Sequence, residues 1–123
     1  MGGKSAQRKG KEGELKLVHF LETFGIKTRR GMVFLGQSDL IGLDGIHIEC
    51  KNTERLNVRE ALTQAVMEAQ KKMDGMPAVF WKANRKEWFT VMRTEDWVKL
   101  YIMARYGGKR DTERADSEVY EDE

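Results

Sequence analysis

The sequence "SDLIGLDGIHIECK", residues 38–51, has the pattern of a short β-hairpin but carries charged residues that a hairpin core does not require. Asp44-Gly45 predicts a type I′ turn, because both central residues of that turn have positive φ and Asp-Gly is one of the pairs that accept this conformation. Antiparallel pairing across the turn brings Asp39, at the start of the first strand, beside the end of the second strand, where Glu49 lies. We therefore expect the carboxylates of Asp39 and Glu49 to meet at one end of the hairpin.

The expected convergence of these charges predicts a metal site. Two carboxylates a few ångströms apart repel each other, and each then holds a proton more readily than an isolated carboxylate does. A hard divalent cation removes that repulsion and prefers oxygen ligands. Lys51 lies two residues beyond Glu49, on the same face of the strand, where it can neutralise charge or orient a water. A cation, a water and an ammonium group at one point are what phosphodiester hydrolysis requires.

The residues around the hairpin alternate between helical and strand patterns. Three segments show apolar residues at helical spacing, namely residues 13–24, 57–74 and 94–106. Five shorter segments have strand patterns, namely residues 26–36, 38–43, 46–51, 78–82 and 87–92. The order αβββαββα predicts a single α/β domain with a central mixed five-stranded sheet flanked by helices.

The ends of the predicted helices carry residues with capping preferences. Gly25 follows the last apolar residue of the first helix and predicts its C-terminal stop. Asn57, with Glu60 three residues later, is the predicted N-cap of the second helix. Thr94 is the predicted N-cap of the third helix, because two acidic residues follow it in the first turn.

The composition is that of a soluble globular protein. Of the 123 residues, 40% are apolar and 34% are charged, which suits one domain with one core. No apolar run is long enough to span a membrane, and the N-terminus lacks the apolar segment of a secretory signal. The one cysteine, Cys50, excludes an internal disulfide, and we expect it to pack as a small hydrophobic residue in a reducing, cytosolic compartment.

Charge is distributed unevenly along the chain. Residues 107–123 hold three basic and seven acidic residues, a net charge of −4, and residues 1–106 hold 19 basic and 13 acidic residues, a net charge of +6. Because the tail lacks apolar periodicity, we predict a domain over residues 1–106 followed by a disordered acidic tail. The basic body favours a polyanionic partner such as nucleic acid.

The spacing of the acids and the lysine resembles a nuclease motif. Ser38-Asp39 followed by Glu49-Cys50-Lys51 resembles the PD-(D/E)xK nuclease superfamily, with Ser38 in the place of the proline. The segment "RKGKEGELKLVHFLETFGI", residues 8–26, resembles the opening of archaeal-type Holliday junction resolvases. The resemblance covers about residues 8–92 and extends to small nucleases of phage and prophage replication regions. It implies a restriction-endonuclease-like fold.

The resemblance also implies a role for each residue of the motif. Asp39 and Glu49 would bind Mg²⁺, for which Mn²⁺ can substitute. Glu14 would hold the metal directly or through water, and the backbone carbonyl of Cys50 would complete the ligands. Lys51 would position the attacking water.

Two further site residues are expected from the helices. The family places a first-turn glutamate of the first helix at the metal, and the sequence offers Glu12 and Glu14. At 100° per residue Glu14 falls on the face of Leu17 and Leu21, which must meet the sheet, and Glu12 falls roughly opposite. The family spacing K-G-x-x-x-E also selects Glu14. Gln64, on the polar side of the second helix, resembles a glutamine often found near this active site.

Each of these residues also has an ordinary structural explanation. Asp39 could cap or edge a strand, and Glu49 and Lys51 could form a solvated strand face. Glu14 could be a first-turn acid favoured by the helix dipole. His47 alternates onto the face of Glu49, and we expect it to be a partly exposed strand residue rather than a ligand.

Together the residues favour a metal-dependent endonuclease acting on DNA, and specifically a Holliday junction resolvase that cuts branched DNA as a homodimer in the cytoplasm of a bacterium or of a phage-infected cell. A four-way junction has two equivalent strands related by a two-fold axis, so a two-fold dimer can cut both, in recombination and repair. Two alternatives stay open. One is a nuclease of the same fold that acts on other duplex or branched DNA. The other is a nucleic-acid-binding protein that does not cut, although such a protein gains nothing from acids that face DNA.

Overall fold

The structure is a computed structural model that describes residues 3–107, and it contains the elements in the predicted order. The helices are α1 (Gly3–Glu22), α2 (Val58–Lys72) and α3 (Thr94–Tyr106). The strands are β1 (Arg29–Arg30), β2 (Leu40–Ile41), β3 (Ile46–Asn52), β4 (Met76–Lys82) and β5 (Phe89–Val91). Beyond Gly107, the predicted disordered tail lies outside the described residues. Among residues 3–107, no helix has the length and apolar character needed to cross a membrane.

The five strands form one mixed sheet in the order β1-β2-β3-β4-β5. Strands β3 and β4 are parallel, with Ile46 opposite Met76 and Asn52 opposite Lys82, and every other neighbouring pair is antiparallel. A parallel pair needs a crossover connection, and α2 provides it. The predicted mixed five-stranded sheet is therefore confirmed.

The two sides of the sheet are covered by different helices. Leu17 and Leu21 of α1 pack against Leu40 and Ile48 in one buried cluster. In a second buried cluster, two alanines of α2, Ala61 and Ala65, pack against Val79 of β4. Because side chains alternate along a strand, the residues of β3 that share the α2 side are His47, Glu49 and Lys51.

The hairpin turn differs from the predicted type I′ turn, and the register is shifted by one residue. A two-residue turn would place Leu40 opposite Glu49, whereas Leu40 lies opposite Ile48. Ile46 N donates a hydrogen bond to Leu43 O at 3.1 Å, and Gly45 has φ 82°, whereas Asp44 is not among the residues with positive φ. Positive φ at only the second central residue is the pattern of a type II turn. In this turn glycine alone adopts the left-handed conformation, which is unfavourable for aspartate. Asp39 N still donates to Ile48 O at 3.2 Å, beside Glu49.

The first predicted strand, residues 26–36, is mostly a compact loop. Only Arg29–Arg30 pairs as a strand, and Val33–Leu35 forms a 3₁₀ turn. A Cβ at Gly31 would lie 1.8 Å from the carbonyl oxygen of Ser38, so the two legs of the loop approach as closely as only glycine permits. The side chain of Gln37 accepts a hydrogen bond from Met32 N at 2.9 Å, which satisfies a backbone group that a longer strand would have paired.

Helix α1 begins at Gly3, well before the predicted start at residue 13. Its extra turns pass over the end of β3, where Asn52 Nδ2 donates to Lys9 O at 3.3 Å. A Cβ at Gly13 would lie 2.6 Å from the Asn52 Cβ, so a glycine at this position allows the close approach. The helix ends at Glu22, and Gly25 has φ 82°, which agrees with the predicted stop.

The other predicted helix boundaries agree closely with the structure. Asn57 is the N-cap of α2, and its side chain accepts a hydrogen bond from Glu60 N at 3.1 Å. The N-cap of α3 is Arg93 rather than Thr94, which is the first helical residue and makes no capping hydrogen bond.

The chain forms two compact units, Met1–Met92 and a second unit that begins at Arg93. The sheet, α1 and α2 belong to the first unit, and α3 belongs to the second. The domain end predicted at residue 106 stays a prediction.

Candidate active site

Asp39 lies immediately before β2, at the end of the hairpin away from the turn. Its Oδ2 accepts a hydrogen bond from Cys50 N at 2.8 Å, so its carboxylate lies against the end of β3. Burial, and then the negative charge of Glu49, raises the pKa of Asp39 from 3.8 to about 6, and the charge of Glu14 adds to the effect. The hairpin therefore brings a carboxylate into an acidic environment in which its ionised form is disfavoured.

Glu49 is held by a buried histidine. The side chain of Glu49 is 17% exposed, and its Oε2 lies 2.8 Å from Nε2 of His47, whose own side chain is 0% exposed. The other ring nitrogen, Nδ1, lies 2.7 Å from Oδ1 of Asp74. Each ring nitrogen of His47 is therefore within hydrogen-bond distance of one carboxylate oxygen. Burial by itself lowers the pKa of His47, but the hydrogen bonds to Glu49 and Asp74 outweigh it and raise that pKa above its ordinary value.

The expectation that His47 is a partly exposed strand residue is wrong. The alternation of β3 does place His47 on the side of Glu49, but that side is covered rather than open to solvent. Burial is tolerated because a carboxylate satisfies each ring nitrogen. Asp74 lies between α2 and β4, far from His47 in the sequence, so no local pattern indicates this pair.

Glu14 faces the sheet, as the helical phase predicted, and Glu12 is exposed. The Glu14 side chain is 16% exposed, and its Oε1 accepts a hydrogen bond from Nε of Arg30 at 2.7 Å. Glu14 is also close enough to raise the pKa values of Asp39 and Cys50. The contact of Arg30 with Glu14 was not predicted, because a strand of two residues is too short to show which way its side chains face.

Lys51 and Cys50 occupy the strand end beside Asp39. Lys51 is partly buried. Burial and negative charge raise the pKa values of Asp39 and Cys50, and the charge of Lys51 offsets a small part of each rise, which places its ammonium group near the acids. No ion pair joins Lys51 to a carboxylate within the part of the chain that the structure describes. Burial, and then the charge of Asp39, raises the pKa of the Cys50 thiol to about 12, so the thiol stays neutral and is no nucleophile.

Gln64 makes no side-chain hydrogen bond to Asp39, Glu49 or Lys51 within residues 3–107. It is exposed on α2, which agrees with its predicted place on the polar side of that helix. The contacts and charges described above connect four of the five predicted catalytic residues, and a role for Gln64 stays a prediction.

The chemistry of the oxygen donors fits a hard divalent cation. In each of the three acids, one carboxylate oxygen has a hydrogen-bond partner within the chain: Cys50 N for Asp39, His47 for Glu49 and Arg30 for Glu14. The second oxygen of each carboxylate is left for a further partner. Burial and then the negative charges of Glu49 and Glu14 raise the pKa of Asp39, and a bound cation would offset both causes. Among the described residues, no three His, Cys, Asp or Glu side chains already stand together as a formed metal site. Asp39 and Glu49 would therefore hold a cation with the carbonyl of Cys50, and Glu14 would act from the side of α1.

The fold is similar to that of a solved resolvase. Hjc, a Holliday junction resolvase from the archaeal hyperthermophile Archaeoglobus fulgidus, matches this chain with a TM-score of 0.50 and 23% sequence identity. The match covers 68% of this chain and 72% of that chain. No protein-family model matches the chain, and no curated protein is significantly similar to it. The likeness in structure confirms the predicted restriction-endonuclease-like fold, which contains three helices and a mixed five-stranded sheet.

Proposed function

We propose that this protein is a metal-dependent endonuclease that hydrolyses phosphodiester bonds in DNA, and that its substrate is a four-way junction cut by a homodimer. The observation that carries the proposal is the acidic end of the hairpin. There the pKa of Asp39 is raised beside Glu49, and Lys51 lies next to them. Two acids and a lysine around one cation are the groups that phosphodiester hydrolysis requires. The likeness in fold to a solved Holliday junction resolvase supports the same reading.

The acids would bind the metal ion, and Lys51 would act on the water and the phosphate. Asp39, Glu49, the carbonyl of Cys50 and Glu14 would hold Mg²⁺ or Mn²⁺, which when bound acts as a Lewis acid toward the phosphate and acidifies water. Lys51 would orient the attacking water and offset the charge that develops on the phosphate. The water oxygen forms a bond to phosphorus and loses a proton to solvent, the bond to one bridging oxygen breaks, and that leaving oxygen takes up a proton from solvent.

The charge of the chain supports DNA as the substrate. Residues 1–106 carry a net charge of +6 despite the acids of the hairpin, so the positive charge lies elsewhere on the body. Basic side chains that contact phosphates would fix the position of the DNA, and junction shape rather than base sequence would select the substrate. A homodimer would match the two equivalent strands of the junction, as a two-fold axis requires. Such an enzyme would act in recombination and repair in the cytoplasm of a bacterium or of a phage-infected cell.

The test compares three DNA substrates under two metal conditions. A four-way junction, a duplex of matched sequence and a single strand are each incubated with the protein in Mg²⁺ or in EDTA, with Glu49→Gln as the matched inactive variant. We expect paired cuts near the branch point of the junction, in Mg²⁺ only. If the duplex is cut at the same rate as the junction, the substrate is duplex DNA in general and not specifically a four-way junction. Binding without cutting in Mg²⁺ and in Mn²⁺ would favour the non-cleaving protein and contradict the proposal.

A further inference from the structure

A buried histidine links the proposed metal ligand Glu49 to a residue outside the site. His47 and Glu49 lie two residues apart on β3, and Asp74 approaches the ring from the connection between α2 and β4. The chain has two histidines, and the other, His19, is exposed on α1. A charged hydrogen-bonding chain of this kind is costly to bury unless every member is satisfied, and both ring nitrogens are.

We propose that His47, anchored by Asp74, is a positioning residue that fixes the carboxylate of Glu49 for binding a divalent cation. This inference rests on the proposed function, because it assigns His47 to the same site. The hydrogen bond to His47 occupies Oε2 of Glu49 and leaves Oε1 for the cation. Without it, a glutamate side chain has three torsions to order when the cation binds, and that ordering costs affinity. Partners that orient metal ligands in this way typically change metal affinity by about 10–100-fold.

The anchor residue is itself fixed by the backbone on both sides. Met73, the C-cap of α2, has φ 53°, and Gly75 has φ 132°. A Cβ at Gly75 would lie 2.4 Å from the carbonyl carbon of Gly45, so the connection packs directly on the hairpin turn. Met76 N also donates to Gly45 O at 2.8 Å, which joins the same two turns. Asp74 is therefore held relative to the hairpin, and the imidazole transmits that fixed position to Glu49.

The ring has no freedom to turn away from Glu49. Both nitrogens are occupied, at 2.7 Å and 2.8 Å, so rotation about the Cβ–Cγ bond would break two charge-assisted hydrogen bonds together. No hydrogen bond among residues 3–107 joins Asp74 to Glu49, so the contact between them runs through His47. The charge of Asp74 also acts through space, and Asp74→Asn, which removes that charge and keeps the accepting oxygen, controls for this effect. Variants at Asp74 can therefore test the inference without changing any proposed metal ligand.

The test measures how much cation each variant needs. The variants are Asp74→Ala and His47→Leu, with Asp74→Asn as the conservative variant that keeps the accepting oxygen, and His19→Leu as the matched control. Asp74 is 31% exposed, so its replacement by alanine is compatible with folding. For each folded variant, Mn²⁺ binding is followed by calorimetry, and single-turnover cleavage of a four-way junction is followed across a Mg²⁺ titration.

We expect the midpoint cation concentration to rise by about 10–100-fold in His47→Leu and by a smaller factor in Asp74→Ala. Asp74→Asn and His19→Leu should keep the midpoint of the unmodified protein, and saturating Mg²⁺ should restore most of the rate in every variant. A purely structural role would lower the melting temperature and leave the midpoint unchanged, and an unchanged midpoint in Asp74→Ala overturns the inference even if His47→Leu does not fold.

The two proposals fail in different ways. If the unmodified protein cuts no DNA but binds Mn²⁺, the proposed nuclease function fails, and the calorimetric midpoints alone decide the role of His47. If the unmodified protein cuts the junction and Asp74→Ala has the same Mg²⁺ midpoint, the positioning role fails and the nuclease function stands. Absence of any Mn²⁺ binding overturns the positioning role directly.

Discussion

Asp39 and Asp96 are both withdrawn from solvent, yet their surroundings have opposite charge. Asp96, in the first turn of α3, has a side chain that is 3% exposed, and its Oδ2 accepts a hydrogen bond from Nε of Arg93 at 3.0 Å. Lys99 Nζ lies 4.0 Å from its other oxygen. Asp39 has acids as neighbours, and its pKa is raised to about 6. A buried acid that pairs with cations of the same chain stabilises a helix end, whereas a partly buried acid beside other acids offers a site for a cation from outside the chain.

The largest expected effect comes from neutralising the acid that pairs with Asp39. Glu49→Gln should lower the single-turnover rate of junction cleavage by about 100-fold or more, because the cation loses a charged ligand. Junction affinity measured by fluorescence anisotropy should not fall, since the shape and the basic surface are unchanged. Asp96→Asn is the matched control, and it should cut the junction at the normal rate. A normal cleavage rate in Glu49→Gln would show that the hairpin acids are not the site.

Lys51 is the positive member of the acidic cluster, and its removal separates catalysis from metal binding. Lys51→Ala should lower the cleavage rate by about 100–1000-fold, because nothing then orients the water or offsets the charge on the phosphate. Its affinity for Mg²⁺ should be retained or increased, because a positive charge beside the cation has been removed. Calorimetry and single-turnover cleavage on one preparation give both quantities.

Lys51→Arg should restore the rate poorly, because the planar guanidinium is longer and is hydrated differently. If Lys51→Ala loses metal binding and cleavage together, Lys51 is structural, and if it loses neither, the lysine has no part in the reaction.

The third prediction concerns stability in the absence of metal. The pKa of Asp39 is about 6 in the folded state and near 3.8 when unfolded, so the folded state holds the proton more tightly. In EDTA, the free energy of unfolding should therefore fall as pH rises from about 4 to about 6, and the loss should be complete at pH 7. Asp39→Asn should remove a penalty on the order of 3 kcal/mol at pH 7 and flatten this pH dependence.

Urea unfolding at pH 4, 5, 6 and 7 measures this effect. Asp96→Asn provides the opposite case, because it weakens the pair with Arg93 and should lower stability at pH 7. A variant Asp39→Asn that is less stable than the unmodified protein at pH 7 would contradict the view that Asp39 lies among uncompensated acids.

The smallest expected effect distinguishes two neighbouring glutamates of α1. Glu14→Ala should slow cleavage by about tenfold, because Glu14 faces the acidic cluster, whereas Glu12→Ala should change the rate less than about twofold. The two variants differ by two positions on one helix and have the same composition, so each controls for the other. Equal rates, or a slower Glu12→Ala, would place the helix acid outside the site.

Features set by local periodicity could be predicted from the sequence. The short turn brought Asp39 beside the end of β3, although the turn type was wrong and the register is shifted by one residue, because any tight turn at Asp44-Gly45 returns the chain to the same end of the hairpin. The helical repeat put Glu14 toward the sheet, and the residue preferences at a helix start identified Asn57 as a cap.

Features that depend on distant segments could not be predicted. The contact between His47 and Asp74 joins a strand to a connection that follows the next helix, and the pair of Glu14 with Arg30 joins α1 to an edge strand of two residues. Both pairs exist because packing brings the segments together, and neither leaves a spacing pattern in the sequence. The exposed position of Gln64 agrees with its place on the polar side of α2, but its role rests on resemblance alone and stays a prediction.

The most direct test of the acidic hairpin as a cation site is calorimetric titration of the unmodified protein with Mg²⁺ and with Mn²⁺ at pH 7, alongside Glu49→Gln and Asp96→Asn. We predict that the unmodified protein and Asp96→Asn bind the cation with the same affinity and that Glu49→Gln loses most of that affinity. Equal binding by Glu49→Gln, or no binding by the unmodified protein, would contradict the assignment of Asp39 and Glu49 as metal ligands.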